Sequence, residues 1–142
     1  MSTEFTARGL GWAGVLPFLA LPTNFLIDQP GWLDSLLISY GLIILAFLCG
    51  TLWMRALNAA KARSCKLVAS NLIVLFAWPA ILLPIHFAAL LLALAFLAHL
   101  LIDAPWRLNA DHAWYGQLRL RLSITVISIL LLTAFVGIVH GF

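Results

Sequence analysis

Five long apolar runs, separated by short polar breaks, are the feature that most limits how this chain can fold. Hydrophobic residues make up 64% of its 142 residues and charged residues only 9%, against about 45–50% and about 25% in ordinary soluble domains. A domain of this size leaves much of its surface exposed, so it cannot hide so many apolar side chains from water. The chain is therefore predicted to be all-α, a single integral membrane domain built as a bundle of five transmembrane helices. The predicted spans cover approximately residues 9–27, 33–54, 67–84, 87–102 and 122–140.

Prolines shape three of these spans. The stretch 67–102 carries no charged residue and would be about 54 Å long as one helix, too long for a single crossing of a roughly 30 Å hydrocarbon core. Pro79 and Pro84 lie near its middle, so a helical hairpin is predicted, with its turn near 84–87 at the outer surface. Pro17 and Pro22 interrupt the first run, which a membrane helix tolerates when neighbouring helices satisfy the freed backbone groups.

The Lys and Arg residues fall only in alternating breaks between the apolar runs. They are Arg8 before the first run, Arg55, Lys61, Arg63 and Lys66 between the second and third, and Arg107, Arg119 and Arg121 between the fourth and fifth. Cytoplasmic loops collect Lys and Arg, so the N-terminus is predicted to be cytoplasmic and the C-terminus outside, in a bacterial inner membrane. This bias also explains the net charge of +3. The predicted counter-charge is anionic lipid of the bilayer, and no nucleic-acid partner is expected.

Ionisable and aromatic residues converge on the predicted inner face. His99 and Asp103 are four residues apart, a spacing that puts both side chains on one helix face. Such a pair inside a span is a functional candidate by default, although residues this close to the interface also reach water or headgroups. Arg119 or Arg107 is the expected partner of Asp103. The candidate patch consists of Trp53, His99, Asp103, Tyr115 and Arg119.

Other polar residues give weaker signals. His86 and His140 both fall near the predicted outer surface, where two imidazoles can ligate a haem or a metal, but two ligands are too few to predict a site. No catalytic constellation and no bound cofactor or metal is therefore predicted. The polar break 103–121 mixes aromatic and charged residues, which fits either an interfacial helix or a solvated connector.

Three segments carry a resemblance to a known family. They are Gly11–Phe18, then Tyr40–Gly50 followed by Trp53, and Trp114–Arg119 running into Leu122 and Ser123. Together they resemble a family of small membrane proteins of unknown function, found in bacteria and including the mitochondrial transmembrane protein 69 of animals. In that family a Gly-Gly-x-His-Trp-Gly sequence closes the second span. This chain has Leu52 in place of the histidine and Met54 in place of the last glycine, while Trp53, Tyr115 and Arg119 match. The resemblance implies an α-helical membrane protein and no known reaction.

Three functions fit these observations. The first is a non-enzymatic accessory, assembly or stabilising factor that packs against a larger membrane complex, such as a respiratory complex, or against a second copy of the chain. Small residues on helix faces allow such packing; they are Ser39, Ala46 and Gly50 on the second span and Ala89 and Ala93 on the fourth. The second is a small transporter or channel acting as an oligomer. The third is a membrane redox protein associated with a quinone or a haem.

The charge asymmetry generates a prediction about topology. A reporter fused after Phe142 should be periplasmic, and a reporter inserted near Ala62 should be cytoplasmic, because the basic breaks are retained inside. Paired alkaline phosphatase and fluorescent protein fusions measure both positions. A cytoplasmic C-terminus would require an even number of crossings and would contradict five spans.

Overall fold

Helices account for nearly all of the described structure, a computed structural model that covers residues 3–25, 31–59, 64–105 and 113–140. The α-helices are α1 (Thr3–Ala13), α2 (Gly31–Leu57), α3 (Ser64–Ala77), α4 (Ile85–Asp103) and α5 (Ala113–His140). Short 3-10 helices cover Leu16–Ala20, Pro22–Phe25 and Trp78–Leu82. Within the four described ranges there is no β-strand, which confirms the all-α prediction.

Four helices are long and apolar enough to cross a membrane: Gly31–Leu57, Ser64–Leu82, Ile85–Asp103 and Ala113–His140. They indicate a multi-pass membrane protein. The first predicted span, 9–27, is not among them, because α1 ends at Ala13. Pro17 stands at the start of the first 3-10 helix and Pro22 begins the second. Proline has no backbone N–H to donate and its ring clashes with the preceding turn, so a regular helix over 9–27 does not form. Residues 26 and 27 lie outside the described ranges.

The irregular N-terminal segment, residues 3–25, nevertheless packs along the bundle. Gly11 of α1 lies against Leu122, in the third turn of α5. Further along, the Tyr40 hydroxyl donates a hydrogen bond of 2.9 Å to the Gly14 carbonyl oxygen. Phe18 then meets Gly41, halfway along α2. The segment therefore contacts α5 through Gly11 and α2 through Gly14 and Phe18.

Two further bounds differ from the sequence expectation. The helix α5 begins at Ala113, so Tyr115, Arg119 and Arg121 belong to it rather than to a connector before residue 122. Its 28 residues make about 42 Å of helix, more than a hydrocarbon core of about 30 Å requires, so part of α5 extends past the core. Residues 106–112 of the polar break 103–121, for which an interfacial helix and a solvated connector were both left open, lie outside the described part of the chain.

The helix α4 occupies the centre of the bundle. It contacts α5, α2 and α3, and half of its most apolar window is buried. Ala89 and Ala93, expected to form an outward face for a partner, are both buried. They pack inside this chain instead, where small side chains let helices approach closely. Ala46 and Gly50 of α2 do lie on the outside.

The contact between the N-terminal segment and α2 depends on Gly41. A Cβ at this position would lie 3.0 Å from Leu92 Cδ1 and 3.4 Å from Phe18 Cε1. Both neighbours are fully buried, so neither side chain can move aside without displacing others. Phe18 also makes edge-to-face ring contacts with Tyr40 at 5.5 Å and with Phe96 at 6.1 Å between centroids, a geometry that aromatic pairs prefer.

We predict that Gly41→Ala destabilises the protein by about 1–3 kcal/mol, the usual cost of overpacking a filled core. Gly50→Ala on the same helix is the control, since no atom lies within 4 Å of an added Cβ there. Alanine favours a helix over glycine by up to about 1 kcal/mol, so this variant should be neutral or slightly stabilised. Thermal unfolding in detergent measures both. Equal stability of the two variants would contradict the close contact at Gly41.

Candidate functional site at the basic end of the bundle

Asp103 is the last residue of α4 and binds two arginines. Arg55 of α2 donates from Nη1 to Asp103 Oδ1, and Arg119 Nε of α5 lies 3.2 Å from Asp103 Oδ2. The Asp103 side chain is only 1% exposed. A buried carboxylate is costly without partners, and the C-terminus of a helix disfavours negative charge. Two arginines offset both costs and tie the ends of α2, α4 and α5 together.

Local backbone structure fixes the position of this carboxylate. Ala104 has a φ of 48° in the left-handed region, and its N–H bonds to the Leu100 carbonyl oxygen. Pro105 follows and cannot continue a helix. Both features end α4 directly after Asp103, so its side chain points from the last turn of α4 into the space between α2 and α5.

Arg119 is the most connected of the charged side chains at this end. It is 6% exposed, and its Nη1 donates to Thr51 Oγ1 at 2.9 Å and to the Tyr115 hydroxyl at 3.3 Å. The guanidinium carbon lies 5.6 Å from the centroid of the Tyr115 ring, within cation–π range. Arg119 Nη2 is buried and has no hydrogen-bond partner in the described ranges. Arg55, Asp103, Arg119, Thr51 and Tyr115 are called the Asp103 cluster below.

His99 lies one turn before Asp103 on α4 and is 1% exposed. It therefore does not reach water or headgroups, the alternative that its sequence position left open. Neither ring nitrogen makes a hydrogen bond of normal geometry to the described residues, although the Leu48 carbonyl oxygen lies near the ring and the charges of Asp103 and Arg119 act on it. The structure thus brings His99, Asp103, Tyr115 and Arg119 together.

Trp53 is the one residue of the predicted patch that lies elsewhere. It is 38% exposed, and successive helix residues are about 100° apart, so it faces away from Thr51 and Arg55, which flank it at two residues on either side. These two were missed from sequence. Their spacing of four residues places both on one face, and this signal identifies them once Arg55 is considered as a span residue rather than a loop charge.

A cavity of about 330 Å³ adjoins the Asp103 cluster. The N-terminal segment, α2, α4 and α5 form its walls. Tyr115, Arg119 and Ser123 are its polar lining residues; apolar walls include Leu10, Val15, Phe18, Ile44, Phe96 and Val126. The cavity is therefore apolar along most of its length and carries a cation and a phenol near one end. It exists because the N-terminal segment is irregular and stands against the bundle through Gly11, Gly14 and Phe18 rather than as a close-packed helix.

The histidines at the opposite end do not form a comparable site. His86 is buried against Phe87, with ring centroids 4.3 Å apart, whereas His140 is exposed at the end of α5. Across the described ranges, no group of three His, Cys, Asp or Glu residues could hold a metal ion. The described residues therefore supply no further ligand for a haem or metal between His86 and His140, the alternative considered from the sequence.

We predict that Arg119→Gln destabilises the protein by about 1–3 kcal/mol, the usual range for losing buried hydrogen bonds of a charged group, because Asp103 keeps its pairing with Arg55. Arg121→Gln is the matched control. This substitution removes the same charge from the same helix, but the Arg121 side chain is exposed. It should change stability by less than about 0.5 kcal/mol. Chemical unfolding in mixed micelles compares the two, and equal effects would show that the buried contacts of Arg119 add nothing beyond general charge.

Comparison with known proteins gives one match. No curated protein and no solved structure matches the chain, so the link to transmembrane protein 69 stays a prediction. The family model described as "Protein of unknown function (DUF3429)" matches residues 3–135, nearly the whole chain. The protein therefore belongs to this family of proteins of unknown function.

Proposed function

We propose that this chain is a non-enzymatic accessory protein of the bacterial inner membrane that holds an amphipathic small molecule in the cavity beside Arg119. The observation that carries the proposal is the cavity itself, with apolar walls and a polar end at Tyr115 and Arg119. Small-molecule sites are typically concave, mostly apolar and provided with a few placed polar groups. The Asp103 cluster supplies those groups and holds them in place.

The size of the cavity favours a small ligand with one chain. Its 330 Å³ is near the lower limit of about 300–1,000 Å³ for small-molecule sites. The lining residues of α5 extend from Tyr115 to Val126, a rise of about 16 Å. A single aliphatic chain lying along α5 fits these dimensions, and a phospholipid with two chains does not.

The aromatic contacts favour binding over conduction. Phe18, Tyr40 and Phe96 pack edge to face, and Phe18 and Phe96 line the cavity. Rings packed in this way form a filled wall of the cavity, whereas a channel would need an open path. The transporter alternative therefore has less support than a bound ligand that stabilises the protein or its complex.

A quinone is the second candidate, since the same polar end supports it. The Tyr115 hydroxyl and the Arg119 guanidinium are hydrogen-bond donors, and a quinone carbonyl oxygen is an acceptor. With a quinone, the ligand would be neutral and the protein would be a quinone-associated factor.

We predict that the protein isolated in native nanodiscs carries about one amphipathic small molecule per chain, detected by organic extraction and mass spectrometry. Ile44→Trp should abolish this enrichment, because Ile44 lines the cavity and the larger ring fills it. Ile43→Trp is the control, since Ile43 is exposed on the outside of the same helix and should retain the ligand.

The outcomes separate the parts of the proposal. The same small-molecule content in all three preparations and in protein-free discs would overturn the ligand-binding function. An enriched quinone would select the second candidate. The accessory role is tested by identifying the proteins that co-purify in the same nanodisc preparations. A stoichiometric partner protein supports this role, and a chain that always purifies alone contradicts it.

A further inference from the structure

We infer that the cavity ligand is a single-chain amphiphile with an anionic carboxylate head, bound at Tyr115 and Arg119 at the basic end of the bundle. This inference rests on the proposed ligand-binding function and specifies the chemical class of the ligand. It follows from the charge balance of the Asp103 cluster, from the unused donors in it and from the shape of the cavity.

The charges of the cluster do not balance. In the described part of the chain, one carboxylate, Asp103, serves two guanidinium groups, those of Arg55 and Arg119. Protonation of the adjacent His99 could only add positive charge. The carboxylate of Glu4 pairs with Arg8 on the exposed surface of α1 and offers no anion to this cluster.

Burial decides which arginine needs a further anion. Arg55 is 34% exposed, so its charge can be solvated by water or lipid headgroups at the end of the bundle. Arg119 is 6% exposed and cannot be solvated in this way. A buried charge is costly unless it is paired. A second anion beside Arg119 would remove the net charge of the buried part of the cluster.

Two unused hydrogen-bond donors lie at the same place. Arg119 Nη2 has no acceptor among the described residues. Tyr115 accepts a hydrogen bond from Arg119, and its own O–H donates to none of the described groups. A carboxylate has two oxygens and one negative charge, which matches two donors and one uncompensated positive charge. A phosphate head carries more oxygens and more charge at neutral pH than this site can balance.

The cavity determines what is attached to the carboxylate. Its charged and phenolic groups, Arg119 and Tyr115, lie at one end, and the remainder is apolar apart from Ser123. A free small anion such as acetate would leave the apolar part unfilled. Burial of an aliphatic tail contributes about 0.8 kcal/mol of favourable free energy per CH₂ group when the tail comes from water. A tail that enters the cavity from the lipid bilayer gains much less. Selectivity therefore comes from the head, and placement comes from the shape of the cavity.

The test compares ligands that share one alkyl chain and differ in their polar head group. The purified full chain is placed in phosphatidylcholine nanodiscs, and binding of laurate, lauryl alcohol, lauryl phosphate and acetate is measured relative to empty discs of the same lipid. A charge-assisted hydrogen bond contributes about 1.5–3 kcal/mol, so laurate should bind about tenfold to a hundredfold more tightly than lauryl alcohol. Acetate should not bind, and lauryl phosphate should bind more weakly than laurate.

Each departure from this order has a distinct meaning. Equal binding of laurate and lauryl alcohol would overturn the anionic head while leaving the proposed ligand-binding function intact. Tighter binding of lauryl phosphate would overturn the carboxylate assignment. Binding of none of the lauryl compounds would contradict both this inference and the proposed function.

Variants locate the head and tail without removing the buried charge. Tyr115→Phe deletes one donor, and Arg119→Lys keeps the charge but loses the planar fork that binds a carboxylate at two points. Each should lower the preference for laurate over lauryl alcohol by about fivefold or more, whereas Arg121→Lys should not. Photo-cross-linking with a diazirine-tailed laurate should label the cavity walls, and Ile44→Trp but not Ile43→Trp should suppress the label. An unchanged laurate preference in folded Tyr115→Phe and Arg119→Lys would place the head elsewhere and overturn the inference.

Discussion

The pairing of Asp103 with two arginines holds the basic end of this bundle together. An α-helix ends with unsatisfied carbonyl groups and a partial negative charge, so a buried carboxylate in its last turn is doubly unfavourable. In this chain α4 ends at such a carboxylate, and α2 and α5 each supply a cation to it. The helices cannot separate at this end without leaving a charge buried and unpaired, which costs several kcal/mol.

The position of the N-terminal segment follows from this arrangement. Because the Asp103 cluster joins α2 and α5 at one end, the groove between those helices is fixed for the residues that pack into it. Gly11 and Gly41 permit close approaches to Leu122 and to Phe18, and Pro17 and Pro22 prevent a regular helix. The segment consequently meets the bundle at a few close contacts and leaves the cavity between them, next to Arg119.

The overall architecture was accessible from sequence because it depends on few physical requirements. Apolar runs of about 20 residues indicate helices in a bilayer, and Pro79 and Pro84 correctly indicated that the long uncharged stretch does not form one helix. The break in the first run was harder to predict, since prolines in membrane helices are tolerated when tertiary contacts compensate for them. Sequence alone carries no information about whether those contacts exist.

The composition of the site was only partly accessible, for a related reason. His99, Asp103 and Arg119 were found because ionisable residues near a span are costly and so point to contacts with one another, and Tyr115 was found because it matches the family resemblance. Arg55 was assigned to orientation alone, because a Lys or Arg in a basic break already has an explanation in the topology rule. Trp53 was included on its resemblance to a family motif, whereas helical geometry places Thr51 and Arg55 on the relevant face. The direction of a side chain, rather than its proximity in sequence, decides whether a residue belongs to the Asp103 cluster.

The second arginine is the feature that stability alone does not explain. One guanidinium can neutralise and chelate one carboxylate, so Arg55 or Arg119 would suffice to keep Asp103 buried. The second adds a positive charge, and the side chain that carries it is the more deeply buried of the two. It lies at the wall of a largely apolar cavity. A net buried charge at the wall of an apolar cavity is unfavourable in isolation and becomes favourable when an anion with an apolar tail enters. The imbalance therefore has a physical rationale as a binding site, in which the fold maintains the cation and the ligand completes the charge pairing.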